Sequence, residues 1–207
     1  MLKERKITYM HFELILSLLT FSISMSITPG PNNVMVTASG VNFGYKKTLP
    51  HILGIVFGFP VMIILIGLGL GSVFKSFPVI HHVLKYMGAA YLLYLAWKIA
   101  TFSRFNNKGE RNKPFTFWQA VIFQWVNPKA WVIAVGAIAA FTSVGRDVFF
   151  EVLLIAFVFC IICFPCVSLW AFLGTNIKRL LTTDYYRKVF NISMAFLLVI
   201  SLLPVFL

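Results

Sequence analysis

Six long apolar runs constrain this chain more than any other feature. They lie at about residues 12–40, 49–74, 83–101, 115–141, 148–173 and 189–206. Each approaches or exceeds the ~20 residues that an α-helix needs to cross the hydrocarbon of a bilayer. The expected fold is therefore all-α, an integral membrane protein of six transmembrane helices. Composition agrees. Hydrophobic residues make up 59% of the chain and mean hydropathy is +0.87, more apolar than the roughly half that soluble domains carry.

The net charge of +12 raises the question of nucleic acid. The basic residues sit in short connectors between the apolar runs, not along one face or arm. Orientation in a bilayer explains them, and no nucleic-acid partner is expected. Connectors after the first, third and fifth runs hold Lys46 and Lys47; Arg104, Lys108, Arg111 and Lys113; and Lys178, Arg179, Arg187 and Lys188. The other side holds Lys3, Arg5, Lys6, Lys75, Lys85 and Arg146. Basic connectors favour the cytoplasm, so both termini are expected outside. Residues 1–10 read as a polar tail. The hydrophilic segment 103–114 is the clearest boundary, dividing residues 1–102 from residues 115–207.

Two of the runs are broken. Thr28-Pro29-Gly30-Pro31-Asn32-Asn33 interrupts the first, and Gln124-Trp125-Val126-Asn127-Pro128-Lys129 interrupts the fourth. Proline has no N–H, so Pro29 and Pro31 free the carbonyls of Met25 and Ile27, and Pro128 frees that of Gln124. Gly30 permits an unwound backbone. Asn32 and Asn33 add donors and acceptors. Irregular backbone at membrane depth persists only inside protein or beside a wet cavity; the alternative is a loop at the membrane surface. Gln124 and Asn127 are three apart and share a helix face. Lys129 lies mid-run, where an ammonium costs about 2.5–3.5 kcal/mol on insertion scales. It must face protein or water, as a functional group, as a snorkelling side chain or as a cap on freed carbonyls.

The two halves share a faint repeat. At one constant offset Gly71-Ser72 matches Gly174-Thr175, Lys75 matches Lys178, and Lys85 matches Lys188. Three helices per half is an odd number, so two three-helix repeats would lie inverted in the membrane. Inverted repeats with broken helices place a substrate near the midplane, where the breaks meet. The expected substrate-binding residues are Asn32, Asn33, Gln124, Asn127 and Lys129. Pro29, Gly30, Pro31 and Pro128 set the geometry.

Catalytic chemistry finds no support. No carboxylate pair is placed for acid/base work, and no His/Asp/Glu cluster has metal-ligand spacing. Ser22, Ser24 and Ser26 lack a His/Asp partner. No cofactor and no metal are expected. Cys160, Cys163 and Cys166 recur every third residue without a His or carboxylate nearby, and read as small packing residues. An intramembrane enzyme acting on lipid or isoprenoid substrates remains the alternative class, and it would need a convergent set that these runs do not supply.

The chain resembles a known family. Thr28-Pro29-Gly30-Pro31-Asn32-Asn33, followed by a glycine-rich second run, is similar to the start of the LysE/RhtB family of amino-acid exporters. Gly88-Ala89-Ala90-Tyr91-Leu92 to Ala96-Trp97-Lys98 resembles that family's third span. Phe117-Trp118 to Phe123-Gln124, then Asn127-Pro128-Lys129, resembles its fourth. The resemblance implies efflux of an amino acid or derivative across a bacterial inner membrane, coupled to an ion or proton. It leaves open whether the chain associates with copies of itself. Two features depart from the family: the basic tail before Met10, and the absence of a carboxylate near either break. A cationic side chain would be desolvated there without compensation and repelled by Lys129. A small neutral cargo is expected, in the class of cysteine, O-acetylserine, threonine or homoserine.

Overall fold

The structure is a computed structural model, described for residues 2–70, 78–102, 113–142, 148–181 and 183–203. Helix α1 (Leu2–Ile27) is followed by α2 (Pro31–Phe43) and α3 (Tyr45–Leu65), which runs into a π turn at Ile66–Leu70. Helix α4 spans Pro78–Ala100. Helix α5 (Phe117–Phe123) passes through a 3-10 turn at Gln124–Val126 into α6 (Pro128–Phe141). Helices α7 (Val148–Leu180) and α8 (Asp184–Ile200) complete the described fold. It is all-α, with no strand among the described residues.

Among the described residues, two segments are long and apolar enough to cross a bilayer unaided: Tyr45–Gly69 and α7. Two more qualify as bent pairs. Helices α1 and α2 meet at 52°, and the α5 segment meets α6 at 70°. Both bends fall at the proline motifs, because neither Pro31 nor Pro128 can continue the helical ladder behind it. The expected third and sixth spans correspond to α4 and α8, which do not meet the same criterion. His81, His82, Lys85 and Lys98 dilute the first, and the second is 17 residues long.

Boundaries shift where a hydropathy pattern is blind. Helix α1 already begins at Leu2, so the expected tail continues the helix. Helix α7 runs to Leu180, not Leu173, and its 33 residues measure about 50 Å, more than the ~30 Å of hydrocarbon. Helix α8 starts at Asp184, not Val189, because the Thr183 side chain accepts from the Tyr186 N–H and caps it. Phe57, Val61, Val132, Phe157, Ile161 and Phe164 are exposed, an apolar surface suited to lipid.

Helix α7 is the hub, packed on α1, α2 and α3. The pairing is reciprocal in part: α3 lies on α5 as α7 lies on α1, and α4 packs on α8, whereas α2 packs along α7 far more closely than α6 does on α3. Small residues bring the helices together. A Cβ on Gly40 would meet the Ala171 carbonyl, and one on Gly174 would meet that of Thr37. Thr37 Oγ1 donates to Asn33 O at 2.7 Å and Thr175 Oγ1 to Ala171 O at 2.9 Å, within their own helices, and each hydroxyl also lies against a carbonyl of the facing helix, Trp170 O at 3.3 Å and Gly40 O at 3.4 Å. The Gly54-x-x-x-Gly58 spacing seats α3 on α5 in the same way. A Cβ on Gly54 would lie 2.6 Å from Ala120 Cβ, and one on Gly58 2.8 Å from Val121 Cα. Gly71, Ser72 and Lys75 of the faint repeat lie outside the described residues.

Candidate functional site

The break motifs face each other. Asn32 Nδ2 donates to Gln124 Oε1 at 2.9 Å, and Gln124 Nε2 donates back to Asn32 Oδ1 at 3.3 Å. Gln124 is fully buried, and its amide also donates to Ala120 O at 2.8 Å. Lys129 spans the gap. Its Nζ donates to Thr28 O and Thr28 Oγ1, both at 2.8 Å, and to Pro29 O at 3.2 Å. An ammonium has three donors, and all three are matched.

The carbonyls expected to be free at the first break have partners. Ser24 O accepts from Thr28 N, and Met25 O from Thr28 Oγ1. Asn33 Nδ2 donates at 2.8 Å to both Ser26 O and Thr28 O. Ile27 O accepts from Trp170 Nε1 of α7 at 2.9 Å. Gly30 O accepts from Val34 N. Thr28 and Pro29 are exposed, and Met25, Ser26, Ile27 and Gly30 half-buried; within a bilayer their carbonyls must still be paired, and this segment draws on α2, α6 and α7 to do it. At the second break, Gln124 O accepts from Asn127 N at 3.3 Å.

The N–H ends of the breaks differ. Asn127 Oδ1 accepts from Lys129 N at 3.1 Å, and Asn127 O accepts from Ala130 N, so the start of α6 is capped. The start of α2 has no side-chain cap, because its N-cap is Gly30. Gly30 is fully extended (φ −179°, ψ 177°), a conformation open to any residue. It is needed for space: a Cβ there would sit 2.6 Å from Lys129 Cδ.

A cavity of about 40 Å³ lies at the junction, lined by Asn32, Asn33, Gln124, Asn127 and Lys129 with an apolar wall that includes Ile55, Phe59 and Cys163. That volume admits a few waters and no amino acid. All five expected binding residues therefore share one cavity, in a closed conformation. Asn33 and Asn127 mainly hold the backbone. Thr28 and Trp170 were not expected; the hydroxyl one residue before Pro29 was the available signal for Thr28, whereas only the fold brings Trp170 near. Cys163 and Cys166 are buried and Cys160 is half-buried, all free thiols.

Residues 23–203 match the LysE type translocator family. The chain belongs to that family. Cysteine/O-acetylserine efflux proteins of Salmonella choleraesuis (strain SC-B67) and Escherichia coli O1:K1 are each 30% identical to it over 187 residues, 90% of this chain and 94% of theirs. No solved structure matches it significantly. This translocator is a multi-pass membrane transporter and not an enzyme.

Proposed function

We propose that the translocator exports a small neutral amino acid of the cysteine/O-acetylserine class across a bacterial inner membrane, and binds it between the two breaks. The observation that carries the reading is the Lys129 ammonium, held by the carbonyls of Thr28 and Pro29 beside the uncapped start of α2. An amino acid brings both an ammonium and a carboxylate. Its ammonium takes over the Thr28 and Pro29 oxygens. Its carboxylate meets the N–H groups of Asn32 and Asn33 at the positive end of α2, joined by Lys129 as it is displaced. Asn32 and Gln124 release one another to orient the cargo. The cargo side chain lies against Ile55, Phe59 and Cys163, a wall with no carboxylate to balance a cationic side chain.

The same reading includes two inverted repeats, 1–102 and 115–207, with 103–114 on the cytoplasmic side and both termini outside. It is supported by the partly reciprocal helix pairing and by one cavity that gathers Lys178, Arg187 and Lys188 with the C-terminal ends of α2 and α4. Counterflow of labelled O-acetylserine and cysteine in proteoliposomes tests it, with arginine as the control. Asn32→Ala should fold and reach the membrane, yet lower exchange about tenfold, by loss of roughly 1.4 kcal/mol of contact. Robust arginine exchange, or unchanged exchange by Asn32→Ala, overturns the reading.

A further inference from the structure

His51 of α3 is 1% exposed, and neither of its ring nitrogens has a hydrogen-bond partner. A buried imidazole always carries at least one donor, so an unmatched ring is costly unless a ligand or water completes it. Its only aromatic neighbour among the described contacts is Phe115, with centroids 4.9 Å apart. The ring lines a second cavity, of about 70 Å³, apart from the one at the breaks. Met35, Ser39 and Asn42 of α2 form one wall of it, and exposed Lys98 and Lys113 stand on its rim.

The two cavities share a track. Asn32, Met35, Ser39 and Asn42 recur at steps of three and four, so they form one stripe along α2. Asn32 lines the cavity at the breaks; the other three line the cavity at His51. On α3, His51 lies one turn before Ile55, which lines the cavity at the breaks. Asn42 also lines a third cavity, of about 470 Å³, at the end where Lys178, Arg187 and Lys188 gather. Three cavities thus follow one helix face from the basic end to the breaks, with Met35 between the inner two.

We propose that the cavity at His51, which at about 70 Å³ holds only a few waters in this conformation, widens toward the basic side into a staging site for the amino-acid cargo, where the His51 ring donates an N–H to the cargo carboxylate. Lys98 and Lys113 draw the carboxylate to the rim, and Met35 separates this station from the breaks. The proposal rests on the transport reading, and adds to it a second binding position with its own sidedness.

The test uses full-length protein in proteoliposomes sorted by orientation, with labelled O-acetylserine as probe. His51→Ala should weaken equilibrium binding of substrate offered at the basic face about tenfold, the size expected for one lost hydrogen bond to a charged group. Binding at the opposite face should stay near wild type, and His51→Gln, which keeps a donor, should restore most of the affinity. Asn32→Ala should weaken transport from both faces. Equal effects of His51→Ala on the two faces, or none on either, overturn the staging site while leaving the breaks intact. If Asn32→Ala is also silent, the transport reading itself has failed.

Discussion

The two breaks are written in nearly the same residues and do opposite things. At the first, the carbonyl end is fully engaged, by Thr28, Asn33, Lys129 and Trp170, while the N–H end of α2 has no side-chain cap. At the second, Asn127 caps the N–H end of α6, and the residue that follows Pro128 sends an ammonium across to the first. One break offers donors to an anion; the other supplies a cation already seated on oxygen. The lesson is that a proline in a membrane helix only opens the ladder. Which end stays open is decided by the residue at the cap: glycine leaves donors free, asparagine closes them.

Substitutions can break this division of roles. The largest effect belongs to Lys129→Met, which removes the cation and leaves the Thr28 and Pro29 oxygens short of a partner. Exchange should fall about a hundredfold, the equivalent of ~3 kcal/mol for charged hydrogen bonds lost on one side. Unchanged exchange in reconstituted vesicles would reduce Lys129 to a structural cap. Gly30→Ala comes next. Its Cβ would press on Lys129 Cδ, the movable part of a flexible side chain, so the fold should persist while exchange drops about tenfold, because Lys129 is pushed away from the start of α2 where it joins the cargo carboxylate. A normal rate here would show that the Lys129 position is loose.

Smaller effects should appear in stability. Trp170→Phe keeps the ring and removes the donor to Ile27 O, a loss of about 1–3 kcal/mol when a buried acceptor is left alone. Thermal unfolding in detergent measures it. Asn127→Ala removes the cap of α6 at a cost of about 1 kcal/mol. The two breaks would be equivalent after all if this smallest change cost transport as much as Lys129→Met.

Much of this was legible in the chain. Four of the six apolar runs located segments able to cross, two straight and two bent, since length in a bilayer is set by hydrocarbon thickness. The prolines located both bends, because a missing N–H is a local fact. The Gly54-x-x-x-Gly58 spacing signals a close helix approach, though not that its partner is α5. What could not be read were the partners. Lys129 could be judged out of place in lipid, but not that its oxygens lie 101 residues away on Thr28. Trp170 looks like any aromatic residue in an apolar helix, and His51, an ionisable residue inside a span, stands in no motif that gives away its neighbours. Hydrophobicity also misjudged the ends of α7 and α8, which follow caps and ladder length rather than lipid.

The crossing of α2 and α7 has a mechanical consequence. With backbone against backbone at Gly40 and Gly174, nothing compressible lies between the two helices. Tilting or sliding would drive carbonyl oxygen into Cα. That crossing is a fixed axle. Opening to either side of the membrane then falls to the parts hung beyond it: α1 turning about the Pro29 joint, and α5 about the Asn127 joint.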